Sequence, residues 1–109
     1  MAYDEGVAQR VREILEERGD VVEKRMFGGV SWLVRGNLAC GVIGEGLIVR
    51  VGPDEYPRSI EKPHTRAFDF TGKPMKGWLV VDPAGYEDDA ALAMWVDLGT
   101  SFALTLPAK

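Results

Sequence analysis

Few residues of this chain carry reactive chemistry: one cysteine, Cys40, one histidine, His64, and the basic turn Gly72-Lys73-Pro74-Met75-Lys76-Gly77 in a sequence of formal net charge −4. One Cys and one His cannot complete a four-ligand site without several carboxylates, so neither a metal nor a cofactor is expected. Ser59, His64 and Asp69 include the residue types of a hydrolytic triad, yet no nucleophile-elbow motif surrounds the serine, and no catalytic residue is assigned. Cys40 falls in an alternating apolar run, the setting of a small buried hydrophobe and not of a reactive thiolate. The Gly72 to Gly77 turn lacks the GxxxxGK[ST] order of a phosphate loop and stands between strand-like runs instead of before a helix. Glu87-Asp88-Asp89 leads into a helical segment, where acids complement the N-terminal dipole without any metal. What remains is recognition. Arg25, Arg50, Lys73 and Lys76 are the candidate partner-binding residues, a small positive patch suited to an acidic protein or a phosphate group.

The elements that must position these cations follow from periodicity. At 109 residues the chain is sized for one domain, residues 1–109, with a single core. Apolar residues make up 46% and charged residues 28%, the composition of a folded chain and not of a disordered tail. The acidic balance opposes general affinity for nucleic acid, which needs clustered Lys and Arg. A lone cysteine fits a reducing compartment. The N-terminus shows no secretory pattern and no apolar run is long enough to span a membrane, so a cytoplasmic location without membrane contact is expected.

Val7, Val11, Ile14 and Leu15 recur at helical spacing between Asp4 and Arg18, with Gly19 placed to end the helix. The period then changes to two, with one strand expected through Met26 to Val34 and another from Leu38 to Ile43. Gly36-Asn37 reads as the two-residue turn between them, a register that sets Trp32 opposite Gly41. The Phe27 to Gly29 glycines mark a bulge or a close packing point. A third strand covers Leu47 to Val51. Pro53 and Pro57 predict a short or irregular middle helix. Two more strands, Arg66 to Phe70 and Trp78 to Asp82, flank the basic turn. A final helix aligns Leu92, Trp95, Val96, Gly99, Phe102, Ala103 and Leu106 on one stripe, and Gly99 there implies close backbone contact with the sheet.

Arg25-Met26-Phe27-Gly28-Gly29, Gly36-Asn37-Leu38-Ala39-Cys40-Gly41-Val42 and the segment from Ala67 to Pro83 together resemble the N-terminal domain of the TfoX/Sxy family, known for regulators of bacterial competence. The resemblance implies an α+β fold of order α-β-β-β-α-β-β-α, similar to secretion chaperones, and the periodicity gives the same order. The expected architecture is thus two layers, an antiparallel five-stranded sheet with helices packed on one face. Two departures stand out. The sequence stops at Lys109, before the helical C-terminal domain that competence regulators carry, and so reads as a stand-alone domain. Pro57 falls where family members usually continue a helix.

The expectation for function is a small regulatory or protein-interaction module, linked through the resemblance to transcriptional or competence control, without catalytic activity. A protein partner is expected, direct nucleic-acid binding is not, and a homodimer is compatible with the reading. The rivals are a nucleic-acid-binding module using the 72–77 turn and a small enzyme. The first would lose affinity steeply with salt, and the second would need a polar pocket with convergent titrating groups.

Overall fold

The computed structural model describes residues 3–26, 28–69 and 72–109. The chain begins with α1 (Glu5–Leu15), whose N-cap Asp4 accepts hydrogen bonds from the backbone N–H groups of Gly6 and Val7 at 2.9 and 3.2 Å. Two of the first-turn donors that a helix leaves unpaired are thereby satisfied. Val7, Ala8, Val11 and Leu15 form its buried face, while Ile14 stays exposed. The strands β1 (Val21–Met26), β2 (Gly29–Val34), β3 (Asn37–Ile43) and β4 (Gly46–Arg50) follow as a meander. The short α2 (Tyr56–Ser59) carries Pro57 in its first turn, and β5 (Thr65–Ala67) and β6 (Trp78–Val81) lie on either side of the basic loop. One turn of helix, α3 (Pro83–Tyr86), leads into α4 (Asp89–Leu104).

All six strands join one antiparallel sheet in the order β1-β2-β3-β4-β6-β5. The class is the expected one, but the sheet has six strands where five are read from the sequence. The additional strand is β1. Its sequence, Val-Val-Glu-Lys-Arg-Met, hides the period of two because charged residues point to both sides of an edge, a common way of protecting an edge from further pairing. Glu23 and Arg25 nevertheless serve the helix-covered face. Arg12 of α1 donates to both carboxylate oxygens of Glu23 at 2.7 and 3.0 Å and to Glu5 at 2.6 Å. The buried Trp32 donates its Nε1–H to Glu23 at 3.0 Å. The Arg12 guanidinium holds the Glu23 carboxyl below its ordinary range, with Trp32 adding to the effect.

The turn between β2 and β3 also differs from the expectation. Arg35 and Gly36 occupy it with φ of 53° and 85°, the pair of positive angles that a tight hairpin requires, and Asn37 already belongs to β3. Asn37 is instead engaged by its side chain, which donates to the Pro107 carbonyl at 2.9 Å. An irregularity next to Leu33 then shifts the register, so that Trp32 faces Cys40 and Gly41 faces Ser31. The middle helix is short as expected. The expected Arg66 to Phe70 strand is shorter, with β5 ending at Ala67, and Phe27 and Phe70 lie outside the described residues.

The main core lies between the helices and one face of the sheet, with Trp32, Val42, Leu47, Val49, Leu79 and Val81 meeting Val11, Leu92, Trp95 and Val96. Gly99 makes the close approach that its place on the stripe implies, since a Cβ there would overlap the carbonyl of Ala39. Gly29 is a packing point of the same kind, against the Val42 carbonyl. Phe102 departs from the expected core stripe and is only half-buried, Leu106 lies beyond the end of α4, and Thr100 on another side of the helix is buried. A smaller cluster forms on the opposite face, where Ile48, Phe68 and Val80 are covered by Met75 and Trp78.

Candidate partner-binding site

The basic loop is built from its two ends and one internal anchor. The N–H of Gly72 donates to Asp69 O at 2.8 Å, that of Met75 to Phe68 O at 2.9 Å and that of Trp78 to Met75 O at 3.0 Å. Met75 turns inward onto the Ile48, Phe68 and Val80 cluster, while Lys73, Pro74 and Lys76 are exposed. The apolar side chain between the two exposed lysines thus anchors the loop to the sheet. Gly77 closes the loop: its carbonyl accepts from the N–H groups of Val51 and Gly52 at 2.9 and 3.0 Å, tying the loop to the end of β4. Its φ of 87° belongs to the left-handed region, and a Cβ on it would come within 3.1 Å of the Gly52 carbonyl carbon.

Arg50 ends β4 beside this closure and pairs across the sheet with Trp78. Its guanidinium lies 5.3 Å from the Trp78 ring centroid and 5.3 Å from that of Phe102. Two aromatic faces therefore hold one cation, a cation–π arrangement that restricts the side chain without neutralising it. Phe102 reaches this position because Gly52, at φ 88°, presents no Cβ to its ring. Trp78 is in turn stacked on Phe68, with centroids 5.9 Å apart and planes inclined by 29°. Among the described residues Arg50, Lys73 and Lys76 form no ion pair.

Of the four candidate cations, the fold places Arg50, Lys73 and Lys76 at one end of the sheet. Arg25 is elsewhere. It sits on the edge strand β1, paired with Val30, with its guanidinium 5.9 Å from the Tyr3 ring centroid. Four strand spacings separate β1 from β6, about 19 Å at about 4.8 Å each, and Arg25 is also nearer the opposite end of the strands. The residues that sequence reasoning missed are Met75, Trp78 and Phe102. The tryptophan next to Gly77 was a visible signal, but its use as a clamp depends on the β4–β6 pairing, which no local pattern encodes.

The residues set aside as chemistry occupy ordinary structural positions. Ser59 is buried and donates its hydroxyl to Glu55 at 2.9 Å within α2, and His64 is exposed at a turn with φ of 66°. Burial pushes the Cys40 thiol up to about 12, which keeps it protonated at neutral pH. Among the described residues no group of three or more His, Cys, Asp or Glu side chains is arranged to hold a metal ion, and no helix is long and apolar enough to cross a membrane.

Neither the curated proteins nor the solved structures include a significant match to this sequence. The family model of the TfoX N-terminal domain does match, over residues 13–103. That span contains all six strands, α4 up to Ala103 and the whole basic loop, and the chain belongs to the TfoX N-terminal domain family.

Proposed function

We propose that this chain is a non-catalytic TfoX-type regulatory module that works by protein contact in the cytoplasm, using Arg50, Lys73 and Lys76 to engage an acidic partner. The observation that carries the reading is Arg50, held between Trp78 and Phe102 beside two exposed lysines, in a chain whose net charge is −4. An arginine fixed by two rings loses less rotamer freedom on binding than a free one, so more of its attraction for a carboxylate or phosphate appears as affinity. The loop adds two charges whose backbone is restrained by Met75 and Gly77. Arg25 lies outside this patch and contributes nothing to it. A role in transcriptional or competence regulation rests on family membership alone.

The test is capture of partners from the native cytoplasm by the intact chain and by its Lys73→Glu/Lys76→Glu variant. Isolated surface substitutions change stability by no more than about 0.5 kcal/mol, so the variant is expected to stay folded. It should lose the partners that the wild type retains. Undiminished capture by the folded variant would eliminate this surface. If the retained species is a nucleic acid, released with a steep dependence on salt, the protein-contact reading fails in favour of the nucleic-acid one.

A further inference from the structure

A second surface has no part in the proposed site. Between α1 and α4 runs a groove of about 680 Å³, with Leu15 and Val96 toward the core and Ile14, Ala90, Ala93 and Met94 along its walls. Helix α4 explains why it exists. Its core stripe is Leu92, Trp95, Val96, Gly99 and Ala103, yet the outward positions Ala90, Ala93 and Met94 are apolar too. After Asp89, the sole charged residue of α4 is Asp97. A helix that is apolar nearly all round is one whose circumference is meant to be covered, and α1 with the sheet covers only part of it. Ile14 and Met94 are left 39% and 37% exposed.

Two further features say what covers the groove. Glu17 and Asp97 line it, and neither forms an ion pair among the described residues. Among the described residues the one cation in the lining, Arg18, is already committed to Asp20 at 2.9 Å. Thr100 lines the groove as well. It is 6% exposed, and its Oγ1 has no hydrogen-bond partner among the described residues, a costly state for a buried hydroxyl. Positions 90, 93, 94, 97 and 100 share one face of the helix, and the alanines among them let a second helix axis come close.

We propose that the α1–α4 groove docks a cationic amphipathic helix of a partner protein. The apolar face of that helix covers Ile14, Ala93 and Met94. Its Lys or Arg side chains meet Glu17 and Asp97. This site is independent of the Arg50 patch, which takes a partner of the opposite charge.

The probe is a fluorescent leucine–lysine peptide of roughly 18 residues, long enough for about five helical turns, with leucine at the period of 3.6. Titrated with the full chain at moderate salt, it should bind at least about tenfold more tightly than a scrambled peptide of the same composition or a leucine–glutamate analogue. Glu17→Lys/Asp97→Lys should weaken binding about tenfold, whereas Glu45→Lys/Glu61→Lys, which changes the net charge equally at exposed residues outside the groove, should weaken it far less. Amide shift mapping on the wild type, which needs no variant to fold, should move Ala93, Met94 and Thr100. Equal affinity for the scrambled peptide, indifference to Glu17→Lys/Asp97→Lys, or shifts confined to residues 72–77 would each overturn the proposal. So would a concentration-dependent dimer that Met94→Glu dissolves, since a second copy would then be the occupant.

Discussion

Replacing Gly99 by alanine separates local from tertiary reasoning, because the two give opposite signs. Within α4 taken alone, Gly to Ala gains about 1 kcal/mol of helix propensity. In the fold the added methyl overlaps the Ala39 carbonyl oxygen, with its carbon at 3.0 Å and Val49 Cγ1 at 3.4 Å. Backbone atoms cannot rotate aside. Restoring an ordinary separation from that oxygen moves α4 off the sheet by more than about 1 Å, a gap that forfeits about half or more of each contact's dispersion energy. Trp95, Val96 and Ala103, which sit on the same stripe, share that loss. Overpacking of this kind costs about 1–3 kcal/mol, and this case belongs at the upper end because the obstacle is main chain. After the propensity gain, the net loss is about 1–2 kcal/mol, or roughly 4–9 °C in Tm for a chain of this size. Urea and thermal unfolding followed by circular dichroism would measure it. Gly19→Ala serves as the control, since a Cβ there meets nothing within 4 Å, and it should be neutral or slightly stabilising. A Gly99→Ala protein as stable as the wild type, or more so, would refute the close approach of α4 to β3.

Three other outcomes can be checked directly. Trp95 is 2% exposed, and Trp95→Ala should cost about 3–5 kcal/mol in urea unfolding; a loss below about 1 would contradict its place in the core. Arg12 lowers the Glu23 carboxyl in the folded state, so this pair's contribution is present above the ordinary glutamate pKa of 4.5 and is lost as the pH falls through the lower folded value. Glu23→Gln should therefore flatten the fall in Tm between pH 5 and about pH 3, and an unaltered slope would show that other carboxylates control it. Cys40, wholly buried with its thiol raised to about 12, should resist an aromatic disulfide reagent at pH 8 until the chain is unfolded in urea; stoichiometric reaction of the native protein within minutes would contradict that burial.

Much of the architecture was legible in the sequence because burial imposes a period. The buried face of α1, most of the α4 stripe, the apolar runs of β2, β3 and β4, and the close approach at Gly99 all follow from each element meeting buried neighbours. The prolines around α2 were equally readable, since proline geometry is local. β1 was not, because an edge strand is constrained on one side only and its charges serve partners distant in sequence, such as Arg12. The Arg35-Gly36 turn escaped for a related reason: Gly36-Asn37 is as good a turn locally, and the choice was made by Asn37 reaching Pro107. The sequence alone could nominate Arg25, Arg50, Lys73 and Lys76 as cations near glycine turns. Only the tertiary structure parted Arg25 from the other three and set Arg50 between Trp78 and Phe102, because a cation's neighbours depend on strand order and on where a distant helix ends. The same holds for the α1–α4 groove, whose walls lie more than 70 residues apart in the chain and meet only when both helices pack on one sheet face.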